Sequence, residues 1–140
     1  MKIFLSILIV LTSFFTTAQL NVETSKNITI WDNNNAFWPL KLNANIKDSD
    51  TTFVFHYRDC QFTKIVSMDY ITFKNKEEVL QSLDLWSKEL NKDDILSTEI
   101  FVLKRKNKNY NFIYKVGSNS YFYYYNRKKT EYIIKLLKNF

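Results

Sequence analysis

Glycine, proline, cysteine and histidine each occur once in the 140 residues. An average chain carries about 7% glycine and 5% proline, and the shortage of both removes whole classes of chemistry. Glycine-rich phosphate loops, dinucleotide-binding turns, nucleophile elbows and EF-hands all need glycine where a side chain would clash or φ must be positive. Gly117 cannot supply any of them alone. One cysteine and one histidine cannot make a three- or four-ligand Cys/His zinc site, and a lone cysteine permits no internal disulfide. No cofactor is expected. What is plentiful instead is aromatic surface, 17% of residues, and positive charge, a formal +6.

The N-terminus reads as an address. Met1-Lys2 gives a short positive start, Ile3 to Phe15 is apolar apart from three hydroxyl residues, and Thr16-Thr17-Ala18 puts small residues before Gln19. That order is the secretory signal pattern, with cleavage expected after Ala18. The apolar run is well short of the ~20 residues needed to span a bilayer. The expected organisation is a signal peptide over 1–18 and one domain over 19–140, exported to a periplasm, cell surface or medium, with no transmembrane span in the mature chain. The bias toward Lys, Asn, Ile, Phe and Tyr suggests an AT-rich bacterial genome.

Beyond the leader the chain alternates between two periods. Asn27 to Trp31 is a short strand candidate, followed by an Asx-rich loop, Asp32-Asn33-Asn34-Asn35. Leu40, Leu42, Ala44 and Ile46 alternate with polar residues, and Phe53, Phe55 and Tyr57 alternate with Val54, His56 and Arg58; Phe62 to Phe73 is a further β-rich run. Val79, Leu83, Trp86 and Leu90 then fall on one helical face. Asn75 and Glu78 have capping-box spacing, so a helix is expected from Lys76 to Leu90. Strands follow over Glu99 to Arg105, Tyr110 to Val116 and Ser120 to Tyr125, the last two joined through Gly117. A final helix carries Ile133, Ile134, Leu136 and Leu137. The expected fold is α+β: a mostly antiparallel sheet of about six or seven strands with two helices on one face, order β-β-β-α-β-β-β-α. The repeated order and the loose likeness of Phe73-Lys74-Asn75-Lys76 to Tyr125-Asn126-Arg127-Lys128 are better read as coincidence than as duplication, since only four residues match.

Candidate chemistry is thin. His56, Asp59 and Cys60 are close in sequence, and a Cys–His pair could generate a thiolate. In a strand, however, His56 shares its face with Val54 and Arg58, while Cys60 lies past a turn. The Asn-rich loop lacks the glycine and glutamate of a calcium loop. Lys104-Arg105-Lys106-Lys108 is basic, but an exported protein seldom meets nucleic acid, and charge at a hairpin tip keeps an edge soluble; no nucleic-acid partner is expected. Aromatic density remains. Strand alternation puts Tyr121, Tyr123 and Tyr125 on one face and Phe122 and Tyr124 on the other, and Trp31 and Trp38 flank the Asn-rich loop. The leading expectation is a non-enzymatic domain that binds an unidentified protein, glycan or envelope component through Tyr121, Tyr123, Tyr125, Trp31 and Trp38. The alternatives are a thiol-dependent enzyme using Cys60 with His56, and a structural or accessory envelope protein.

Overall fold

The computed structural model describes residues 24–105, 110–124 and 127–140. The expected leader over 1–18, Lys106 and Lys108 of the basic tip, and Tyr125 lie outside the described residues. The order is β1 (Ser25–Asp32), β2 (Leu40–Lys47), β3 (Asp50–Arg58), β4 (Met68–Phe73), α1 (Lys76–Trp86), β5 (Ile95–Ser97), β6 (Phe101–Arg105), β7 (Asn111–Lys115), β8 (Tyr121–Tyr124) and α2 (Arg127–Asn139). The class is α+β, but the strands form two four-stranded antiparallel meanders, β1-β2-β3-β4 and β5-β6-β7-β8, rather than one sheet of six or seven. Each meander is followed by a helix. The short first candidate is a full strand and β5 is an additional one, so the order is four strands and a helix, twice.

Local chemistry sets the boundaries. Asn75 caps α1 by accepting from the Glu78 N–H at 2.9 Å, and Glu78 Oε2 reaches back to the Lys74 N–H at 2.6 Å. The helix stops at Trp86 instead of running to Leu90. The Asn111 amide donates to the Trp86 and Lys88 carbonyls, and the Arg105 guanidinium to that of Leu90. These donors from the second sheet claim carbonyls that another helical turn would have used, and Leu90 is still buried. Gly117 takes φ +77° in the β7–β8 turn, a left-handed conformation that glycine adopts without a Cβ penalty.

The two meanders and both helices turn their apolar faces to one core. Phe53, Phe55 and Tyr57 face inward from β3, and Phe122 and Tyr124 from β8. At the centre, Trp86 has its ring 5.0–6.1 Å from those of Phe55, Phe73, Phe101, Phe122 and Tyr124, mostly edge to face. Such geometry adds roughly 0.5–1.5 kcal/mol per pair beyond area burial. The meanders meet where β3 ends and β8 begins: the Cys60 N–H donates to the Tyr121 carbonyl at 2.8 Å, and the Tyr121 N–H to Asp59 Oδ1 at 3.3 Å. No helix among the described residues is long and apolar enough to cross a membrane.

Candidate functional site

Turn geometry fixes which aromatic residues share a surface. Pairing across the β7–β8 hairpin sets Tyr114 opposite Tyr121 and Phe112 opposite Tyr123. Alternation then puts all four on the outer face, while Ile113, Phe122 and Tyr124 enter the core. The outer rings form a continuous cluster. Tyr114 lies 5.2 Å from Tyr121, Phe112 lies 5.3 Å from Tyr121 and 4.7 Å from Tyr123, and Tyr110 lies 5.3 Å from Tyr123. Phe112 is covered by its neighbours, whereas Tyr121 and Tyr123 are half-buried. Burial first, and then the neighbouring Tyr121, push the Tyr123 hydroxyl up to about 12, so it stays a neutral donor at physiological pH. Lys104 sits 5.4 Å above the Tyr114 ring.

A second chain segment reaches this cluster. Trp38, on the β1–β2 loop, packs edge-on against Tyr123 with centroids 6.2 Å apart. The Arg58 guanidinium lies 4.6 Å above the Trp38 ring and donates to the Phe37 carbonyl at 2.7 Å. Between them opens a hollow of about 110 Å³, walled by Trp38, Pro39, Leu40, Arg58, Cys60 and Tyr123. Arg58 Nε is buried with no hydrogen-bond partner among the described residues. An unpaired buried donor costs about 1–3 kcal/mol.

Of the residues expected to bind, the structure brings together Tyr121, Tyr123 and Trp38. Trp31 does not join them. Only 9% exposed, it belongs to the core. The reason is a β-bulge: Thr29 pairs with Asn43 but Trp31 with Leu42, so one extra residue, Ile30, intervenes. The bulge inverts the alternation and turns Trp31 inward beside Leu42. Tyr125 lies outside the described residues. Sequence reading had not joined Arg58, Phe112 or Tyr114 to the site, although the turn at Gly117 fixes the register that puts Phe112 beside Tyr123.

The thiol and the imidazole are set apart. His56 is on the outer face of β3, 6.0 Å from the Tyr70 ring, and burial together with Lys41 lowers its pKa. Cys60 is buried in the core, its Sγ donating to the Arg58 carbonyl at 3.6 Å. Burial pushes its thiol up to about 11. Among the described residues no group of three or more His, Cys, Asp or Glu side chains could hold a metal ion.

A polar cluster unforeseen in the sequence lies at the junction of the meanders. Asp69 Oδ1 accepts from Lys115 Nζ and from the Tyr70 N–H, both at 2.8 Å, while Oδ2 accepts from Ser120 Oγ at 2.5 Å and from Tyr57 at 3.3 Å. Tyr57 and Ser120 share a 2.7 Å hydrogen bond and are both buried. Burial alone would raise the Asp69 pKa, but the donors from Lys115, Ser120 and Tyr70 outweigh it and hold the carboxyl below its ordinary value. With Ser120 donating to a carboxylate, its oxygen is anchored rather than activated, and the cluster acts as a polar rivet between the two halves. No protein-family model, curated protein or solved structure matches the chain.

Proposed function

We propose that this chain is a small exported, non-enzymatic domain that binds a polypeptide partner across the face formed by Trp38, Tyr123, Tyr121 and Tyr114. One observation carries the reading: the β1–β2 loop delivers Trp38, with Arg58 from the end of β3 lying over its ring, to the β7–β8 tyrosines, leaving a hollow between them. Tyr, Trp and Arg are the residues that dominate binding hot spots, and the two aromatic ones supply large area at low entropy cost. The rings meet at varied angles, from 34° between Tyr114 and Tyr121 to 90° between Tyr121 and Tyr123, and so uneven a face suits an irregular polypeptide surface. The positive Arg58 guanidinium beside the hollow suits a partner carboxylate. A reactive thiol receives no support, since Cys60 is buried and held protonated.

The test is nuclear magnetic resonance of the labelled domain titrated with peptide pools. Binding peptides should shift Trp38 and Tyr121–Tyr124 signals together, and Trp38→Ala should weaken them on the order of tenfold with the fold intact. If Trp38→Ala and Tyr123→Ser lower stability while every bound peptide maps elsewhere, the face is packing and the proposal fails.

A further inference from the structure

The hollow beside Trp38 carries one charge in an apolar lining. Cys60 and Phe122 are buried residues, Leu40 and Tyr123 are half-buried, and Trp38 is the most exposed of the lining residues. The β1–β2 loop that walls it is held by its own amides. Asn35 Oδ1 accepts from the Phe37 and Trp38 N–H groups at 3.0 Å each, and Asn33 Nδ2 donates to the Trp38 carbonyl at 2.7 Å. A wall fixed beforehand spares an occupant the cost of ordering it. The volume, about 110 Å³, sets the size of the group that fits. A dry apolar cavity of about 150 Å³ accepts benzene, so this one suits a branched aliphatic group of about four carbons, such as a leucine side chain, and is too small for an indole.

The charge is the Arg58 guanidinium. The Phe37 carbonyl fixes it at 2.7 Å, and the Trp38 ring lies 4.6 Å from it. Arg58 is half-buried, and its Nε is out of water with no hydrogen-bond partner among the described residues. Three carboxylates flank the same segments, and each is engaged elsewhere. Asp59 is buried, with Oδ1 accepting from the Gln61 and Tyr121 N–H groups and Oδ2 from the Gln61 side-chain amide. Asp69 holds Lys115 and Ser120. Asp32 Oδ1 accepts from the Asn34 N–H at 2.7 Å. Among the described residues none of the three forms an ion pair with Arg58. A guanidinium drawn partly out of water with no anion against it is unfavourable. The hollow therefore suits a group that brings an aliphatic body and a negative charge together.

We infer that the hollow takes the last residue of the partner chain: an aliphatic C-terminal side chain fills it, and the terminal carboxylate meets the Arg58 guanidinium. This rests on the tyrosine face being a polypeptide site and narrows that site to the end of a chain. In a C-terminal residue the side chain and the carboxylate hang from one Cα, so both reach one hollow. An internal aspartate or glutamate must borrow its aliphatic group from a neighbour. In extended chain the next side chain points to the opposite face, and the one after it is about 7 Å away. The preceding residues of the partner then cross Tyr123, Tyr121 and Tyr114, whose rings continue the face from Trp38.

The test uses hexapeptide pools, random except at the last position, with a free or an amidated C-terminus, titrated into the labelled protein. Pools ending in Leu or Ile with a free carboxylate should shift the Trp38 and Tyr123 signals. They should bind on the order of tenfold more tightly than their amidated counterparts, or than free-ended pools closing in Lys or Trp. Arg58→Gln should lose the same factor for the free end, and amidation should then cost it little more. The comparison of free with amidated ends needs no variant, so a folding defect in Arg58→Gln leaves it decisive. Free and amidated ends that bind alike across Trp38 and Tyr121–Tyr124 overturn the inference and leave the peptide face standing. An amidated pool with Asp before its last residue that matches the free Leu-ended pool overturns it too, as does 4-methylpentanoate binding as tightly as that pool, which would make the hollow a site for a small acid. If no pool shifts these signals, the peptide face itself fails and the inference with it.

Discussion

Removing the Asp69 carboxylate should loosen the junction of the two halves more than any other single polar substitution there. Asp69→Ala strands Ser120 and Lys115 but leaves Tyr57 and Ser120 bonded to each other. A buried hydrogen bond to a charged group is worth about 1.5–3 kcal/mol. The ion pair to Lys115, whose side chain is 28% exposed, adds at most about 1 kcal/mol, because the ammonium can turn to water. The expected loss is thus about 3 kcal/mol, or roughly 12 °C in Tm for a domain of this size. Asp69→Asn keeps the shape and most contacts and should cost about 1 kcal/mol, the charge alone. That smaller difference should depend on pH. The folded pKa of Asp69 lies below the ordinary value of about 3.9, so its contribution is present above that value and disappears as pH falls through the folded pKa. Urea titrations of the three proteins from neutral pH downward measure both effects. An Asp69→Ala cost under about 1 kcal/mol, or a gap between wild type and Asp69→Asn that is undiminished at the acid end, would refute the reasoning.

Three further outcomes follow from the packing and the loop. Trp86→Ala should cost about 3–5 kcal/mol, since it removes the ring that five other aromatic residues surround; chemical denaturation reads this, and a loss below about 2 kcal/mol would mean that the core closes around the gap. Asn33→Ala should cost about 1–2 kcal/mol and speed amide exchange at Leu40 and Asn35, whose N–H groups bond Asn33 Oδ1; unchanged exchange there would show that the loop does not need its amide. Cys60 should react with a thiol reagent far more slowly in the folded than in the unfolded protein at neutral pH, because it is buried and its thiol is raised to about 11; rapid labelling of native protein contradicts that placement.

How much of this was legible depends on the range of the interaction. Alternation alone sorted Phe53, Phe55 and Tyr57 inward and separated Tyr121 and Tyr123 from Phe122 and Tyr124, because strand parity is a local rule. The Asn75–Glu78 offset announced the start of α1 for the same reason. Three things needed tertiary knowledge. The bulge at Ile30 is set by how β1 meets β2, and it moved Trp31 from the expected surface to the core. The early end of α1 is set by Asn111 and Arg105, more than fifteen positions downstream. The Asp69 cluster joins residues 57, 69, 115 and 120, whose separate positions read only as three strand ends and a turn. The meeting of Trp38 with Tyr123 belongs with these: each ring was a visible candidate, but their adjacency comes from the way the two meanders pack.

In both sheets, every strand bonds only to its neighbours in sequence. Among the described residues no ladder therefore requires closing a long loop, and each half can assemble from hairpins before it finds the other. Contacts of short sequence separation close with little entropic cost and form quickly. On that order the seating of Trp86 and the latching of Asp69 to Ser120 and Lys115 should come last. Refolding should thus show early strand signal and later tryptophan burial, and a single phase common to both probes would argue that the halves assemble as one.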